Sequence, residues 1–325
     1  MADFSMGYAL GSGFSLIRTR PGAILAWGLT YLLIGMVLPL GMALWVMGPE
    51  IPRLVASFSQ LQASTAGPPP EFMVFQSKMM LVQPVTMLAP LIAQTILAAA
   101  VFRAVLEPGA RSMASLRLGR RELWLGLTLL VAGILTAVAL VAMELIGIIV
   151  GVILGLVFEA AHVDVAVRIV VFVMLGLALF GTFLAVAVRF SLALPMSFAE
   201  GQFRLFESWE LTRGHAGKLF GLAVLVALIS IVLAILFESL LIGALLLAAM
   251  GPHLDPAAFE AIAHHPELLW RPPVLAVGAV AGVVFALAMG AVFAINLAPW
   301  AVAYRELAPG ARPEPREGGV YVPVP

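Results

Sequence analysis

Apolar and polar positions along this chain of 325 residues fall into long blocks rather than alternating at a short period. About 20 helical residues at 1.5 Å each cross the ~30 Å hydrocarbon core of a bilayer. Blocks of that length predict six spans. The first covers 24–47; it is too long for a signal-peptide core, no small-residue cleavage site follows it, and it reads as retained. The second covers 79–102 and contains Pro84 and Pro90, which predicts a kink. Residues 123–158 are apolar apart from Glu144 and Gly-rich near their end. That block exceeds one straight crossing, so it reads as a span to about Gly147 and then a continuation that re-enters or lies along the interface. Residues 165–194 give the fourth span, 219–250, interrupted by Glu238, the fifth, and 274–304 the sixth.

Composition agrees with this pattern. The chain is 62% hydrophobic and 11% charged, against about 45–50% and about 25% in soluble domains, and its mean hydropathy is +1.07. The fold class is therefore all-α, a polytopic membrane protein with a single transmembrane domain over 1–307. Residues 308–325 carry no periodicity and read as a flexible cytoplasmic tail. The 18 Lys+Arg balance 18 Asp+Glu, so no basic excess points to nucleic acid. The chain has no cysteine, which removes thiol catalysis, thiolate metal sites and disulfides.

Charge orients the spans. On the side of the termini lie Arg18, Arg20, Arg103, Arg111, Arg117, Arg120, Arg121, Arg189, Arg204, Arg213, Lys218, Arg305, Arg312 and Arg316. Opposite them stand only Arg53, Lys78, Arg168 and Arg271. Excess Lys and Arg in short loops places that side, and both termini, in the cytoplasm of a bacterial inner membrane.

Three segments, about 4–111, 112–198 and 199–307, share an order of entry helix, basic turn, span and return span. The exits match at Phe102-Arg103 and Tyr304-Arg305, followed by Pro108-Gly109-Ala110-Arg111 and Pro309-Gly310-Ala311-Arg312. Repeats of one orientation predict hairpins about an axis along the membrane normal. Leu10, Phe14 and Ile17, at i, i+4 and i+7, predict a short interfacial helix, and Leu205, Phe206 and Trp209 predict another.

Candidate chemistry is sparse. Glu144 and Glu238 are the ionisable intramembrane candidates, for proton or ligand handling or as markers of where a span ends. Asn296, Gln83 and Gln94, with Thr86, Thr95 and Ser230, can hydrogen-bond between helices or line a polar path. Gly147, Gly151 and Gly155 repeat every fourth position and predict close helix packing. Arg168 and Arg189 read as snorkelling side chains. His162, His253 (with Asp255), His264 and His265 face outward without the i, i+4 spacing that aims two imidazoles at one ion, so no metal and no cofactor are expected. Arg18, Arg20, Arg117, Arg120, Arg121, Arg213, His215 and Lys218 form cytoplasmic basic turns suited to anionic lipid headgroups. No HExxH, GxSxG or Walker lysine occurs, and no enzymatic activity is expected.

The run Ser208-Trp209-Glu210-Leu211-Thr212-Arg213-Gly214-His215, then Lys218-Leu219-Phe220-Gly221-Leu222, resembles the membrane domain of glycerophosphoryl diester phosphodiesterases and its stand-alone bacterial relatives. Ala303-Tyr304-Arg305-Glu306-Leu307 and the opening from Phe4 to Trp27 resemble the same family, while the central third is similar in layout only. In full-length members catalysis belongs to a separate soluble barrel, for which this chain has no polar stretch of sufficient length. The resemblance thus implies a membrane module without phosphodiesterase activity. Its partners would be membrane lipids, with a membrane-protein partner or a second copy also open. The alternatives are a small-molecule transporter or channel, using Glu144, Glu238 and Asn296, and an assembly factor for another membrane complex.

Overall fold

The computed structural model describes residues 5–50, 70–107, 116, 119–250 and 271–308. Arg117, Arg111, Arg53, His253, Asp255, His264, His265 and the tail beyond Ala308 lie outside the described residues. Among the described residues all regular structure is helical. Helix α1 is Met6–Thr19. The first span is α2 (Pro21–Thr30), a π-helical stretch Tyr31–Val37, and α3 (Leu38–Met47). There follow α4 (Pro70–Leu106), α5 (Arg120–Ala160), α6 (Val165–Phe190), α7 (Ala193–Glu200), α8 (Glu207–Leu211), α9 (Ala216–Met250) and α10 (Pro272–Leu307). Six helical stretches are long and apolar enough to cross a membrane, and the chain is an integral, multi-pass membrane protein.

Local chemistry explains the irregular places. Pro39 has no N–H for the carbonyl one turn back, and the chain meets it with the wider π turns of Tyr31–Val37. Helix α4 runs unbroken through Pro84 and Pro90. Helix α5 is also continuous, contrary to the span and re-entrant continuation expected over 123–158; its 41 residues measure about 61 Å at 1.5 Å per residue. Helix α9 likewise passes Glu238 without a break. Both glutamates sit on exposed helix faces, where a carboxylate need not interrupt the backbone. The real turn comes at 161–164: His162 takes a positive φ of 52°, and Asp164 caps α6 by accepting the Ala166 N–H at 2.8 Å. Arg168 has local partners. Its guanidinium donates to the carbonyls of Val163 and Phe158, at 2.9 and 3.1 Å, and closes the C-terminal end of α5.

Helix α10 is the hub, packing against α1, α2, α4 and α9. Its buried stripe is Ala286, Gly290, Ala294, Ala298 and Ala301, a small residue every turn, which lets backbones approach. A Cβ on Gly28 of α2 would stand 2.5 Å from the Leu287 carbonyl oxygen, and one on Gly290 would strike the Ile24 carbonyl and the Gly28 nitrogen. Gly13 of α1 meets the Ile295 backbone in the same way. Helix α1 therefore packs through Ala9, Gly13 and Leu16, while Phe14, from the apolar set that predicts an interfacial helix, is exposed. The glycines singled out in α5 do less. Gly147 and Gly151 face only the side chains of Leu179 and Phe172, and Gly155 faces open space.

More than half of the most apolar stretch of α4 is buried, and none of that of α5 or α6. The buried core gathers at one end of the molecule. It comprises Trp27 with Leu97, Ala294 and Ala298, Phe102 with Leu125, Phe198 and Ala301, and Leu192 with Leu219, Leu222 and Val302.

Candidate functional site

The packed end is where most of the described arginines lie, and polar side chains tie its helix ends together. Arg103, on the last turn of α4, pairs with Glu122, on the first turn of α5; both side chains are at most 9% exposed. The Arg103 guanidinium also lies 5.5 Å from the centre of the Phe198 ring, a cation–π distance. Burying such a pair is tolerable because each charge compensates the other; removing one partner is not. Next to it, Thr128 Oγ1 stands 2.9 Å from the Trp124 carbonyl and 3.0 Å from Ser197 Oγ, which in turn accepts the Arg204 N–H at 3.0 Å. Thr128 and Ser197 are fully buried.

Side chains from one element satisfy the terminal carbonyls of another. Ser208 donates to the Arg189 carbonyl at 2.8 Å, at the end of α6. Arg305, on α10, donates to the Val105 carbonyl of α4 and to Tyr8 of α1, both at 3.4 Å. Tyr304 donates to Glu200 at 3.5 Å. These bonds do for the helix ends what water would do elsewhere. Arg189, expected to snorkel, lies with its guanidinium 5.5 Å from the centre of the Trp209 ring. Among the described residues its buried Nη1 has no hydrogen-bond acceptor.

Between α7 and α8, Arg204 clasps two carboxylates. Its Nη1 donates to Glu207 at 2.8 Å, and its Nε stands 2.8 Å from Glu200 Oε2, a charge contact lying off the hydrogen-bonding line. The Arg204 hydrogen bond holds the Glu207 carboxyl below its usual 4.5, and the two carboxylates raise the Arg204 guanidinium. A depressed carboxyl value favours the folded form above the unfolded value and loses that contribution as pH falls through the folded one. Amide exchange over 201–207, corrected for its intrinsic pH dependence, is thus expected to accelerate below pH 4.5. The acceleration should be absent in Glu207→Gln; an unchanged profile in wild type would break the assignment.

The residues expected to meet headgroups surround this base. Arg18, Arg120, Arg121, Arg213 and Lys218 are exposed, and Arg20 and His215 partly so. Arg121 pairs with Glu107, and His215 Nδ1 lies 3.2 Å from the Arg213 carbonyl. The intramembrane candidates are not brought together. Glu144, Glu238, Gln83 and Gln94 are each on exposed faces. Asn296 hydrogen-bonds across to Ser230 of α9 and to its own Val292 carbonyl, so it joins two helices. Among the described residues no three His, Asp or Glu side chains converge as a metal site.

Cavities open between helices above the base. One of about 650 Å³ lies between α4 and α5. Another of about 560 Å³, lined by Phe102, Thr136, Thr182, Ser191 and Trp300 among others, lies between α5, α6, α7 and α10. The pairing of Arg103 with Glu122, the Ser208 and Arg305 caps and the Gly28–Gly290 crossing were not anticipated from sequence. Only the exit motif around Arg103 and Arg305 hinted at them. Comparison with family models, curated proteins and solved structures finds no match to this chain.

Proposed function

We propose that this protein is a non-catalytic module of the bacterial inner membrane, with both termini cytoplasmic, that binds anionic lipid headgroups through its basic end. The observation that carries the reading is the arrangement at that end. Arg18, Arg120 and Arg213 are exposed around a base whose own charges are largely paired. Above the base the helices present apolar side chains such as Leu123, Leu127 and Ile134 outward. A cation held at the foot of a lipid-facing helix meets the headgroup layer, where each contributes about 1 kcal/mol toward an anionic surface. The resemblance to the glycerophosphodiesterase membrane domain agrees with such a role and lends no catalytic residue to it.

No observation favours transport, because Glu144 and Glu238 do not face a shared path. The test is association of the detergent-solubilised protein with phosphatidylglycerol vesicles. Combined Arg18→Gln, Arg120→Gln and Arg213→Gln changes are expected to weaken it about a hundredfold at low salt. Unchanged association would remove the basic end from the function.

A further inference from the structure

The cavity between α4 and α5 has a built polarity. Its walls are Leu91, Ile92, Ile96, Leu123, Leu127 and Leu130, and its foot is formed by Gly119, Arg120 and Glu122. Thr95 keeps its hydroxyl on its own helix, donating to the Leu91 carbonyl at 2.8 Å. Its methyl carbon lies 3.1 Å from where a Cβ on Gly126 would sit, so that glycine keeps the two helices close beneath the groove. Ile92, Leu123, Leu127 and Leu130 are each exposed, which means that the cleft opens sideways toward the membrane. From Gly119 to Leu130 the groove runs about 17 Å along α5, close to one leaflet of a ~30 Å hydrocarbon core.

The charges at the foot do not cancel. Glu122 is committed to Arg103, so that pair is neutral and Arg120 adds one positive charge beside it. In a bilayer the apolar part of such a lateral cleft is filled by acyl chain rather than by water, since Leu91, Ile92, Ile96, Leu127 and Leu130 offer a water molecule no hydrogen bond. Among the described residues that line the groove, Arg120 is the one cation, and a cation at the headgroup level favours a lipid that carries net negative charge.

We infer that the α4–α5 groove is a binding site for one anionic diacyl phospholipid, its phosphate on Arg120 and an acyl chain lying along the groove to Leu130. This rests on the proposed lipid-binding role and gives it an address and a lipid class. The crevice between α9 and α10, about 410 Å³ and lined by Phe237, Leu240, Leu241, Val280, Val284 and Phe285 among others, is equally apolar, and no charged side chain is among the described residues that line it. It should hold chains without choosing a headgroup.

The test is native mass spectrometry of the purified full chain delipidated in detergent, then mixed with equal phosphatidylglycerol and phosphatidylethanolamine. Wild type is expected to keep one phosphatidylglycerol in preference. Arg120→Gln should lower that preference about fivefold. Ile92→Trp, which fills the groove from its open side, should remove the adduct, while Leu240→Trp leaves it in place. Unchanged thermal unfolding would establish that Ile92→Trp is folded. If Ile92→Trp keeps the adduct while loss of Arg18 and Arg213 removes it, the groove is wrong and the basic end still binds lipid. If wild type keeps no phosphatidylglycerol, both the groove and the lipid-binding role fall.

Discussion

Glu122→Ala is expected to destabilise the protein by about 3–5 kcal/mol, the usual result of removing one partner from a buried ion pair. The Arg103 guanidinium would remain beneath Phe198, at most 9% exposed, without its carboxylate. Thermal unfolding in detergent, followed by helical circular dichroism, reads the change directly. Two companions separate the pair from its surroundings. Arg103→Leu combined with Glu122→Leu should recover most of the loss, because paired apolar replacements of similar volume are often neutral. Glu107→Ala, which releases the exposed Arg121, should cost no more than about 1 kcal/mol. A Glu122→Ala protein as stable as Glu107→Ala would mean that the base is not held by this pair.

The second large effect concerns the crossing of α2 and α10. Gly290→Val places side-chain carbon where the Ile24 carbonyl and the Gly28 nitrogen already are. Both neighbours are helical backbone and cannot rotate away as a flexible side chain can. The cost should lie at or beyond the upper end of the about 1–3 kcal/mol found for overpacked cores, and loss of monodisperse protein is the expected readout. Gly282→Val, on the same helix with open space around it, should behave as wild type. Equal behaviour of the two variants would show that α2 does not pack on α10 in this way.

Those two sites also show what could and could not be read along the chain. The six spans were legible because burial in lipid demands long unbroken apolar runs, and the structure places its helices over all six blocks. The continuity of α5 was not, because a block longer than one straight crossing was read as a span followed by a re-entrant or interfacial continuation. On an exposed face Glu144 imposes no such break. Packing within the bundle was legible only in part. GIIVGVILG stands out by eye, yet it meets only two side chains, whereas the working stripe on α10 is mostly alanine in an alanine-rich helix. A close crossing needs small residues on two helices at once, and Gly28 and Gly290 are 262 positions apart in sequence. Pairing was hidden for a similar reason. Arg103 counted as one more cation on the side of the termini, and nothing local marks Glu122 as its partner; only the antiparallel contact of α4 and α5 brings them together. The exposed cations were legible as a group, since they needed only a count of charge on each side of the spans.

What they bind is decided most directly by native mass spectrometry of the protein ejected from its own membrane without prior delipidation. A headgroup-binding module should arrive with a defined anionic phospholipid attached, and should lose it when Arg18, Arg120 and Arg213 are replaced by glutamine. A chain that arrives bare, or that carries a stoichiometric protein and no lipid, would contradict the lipid-binding role.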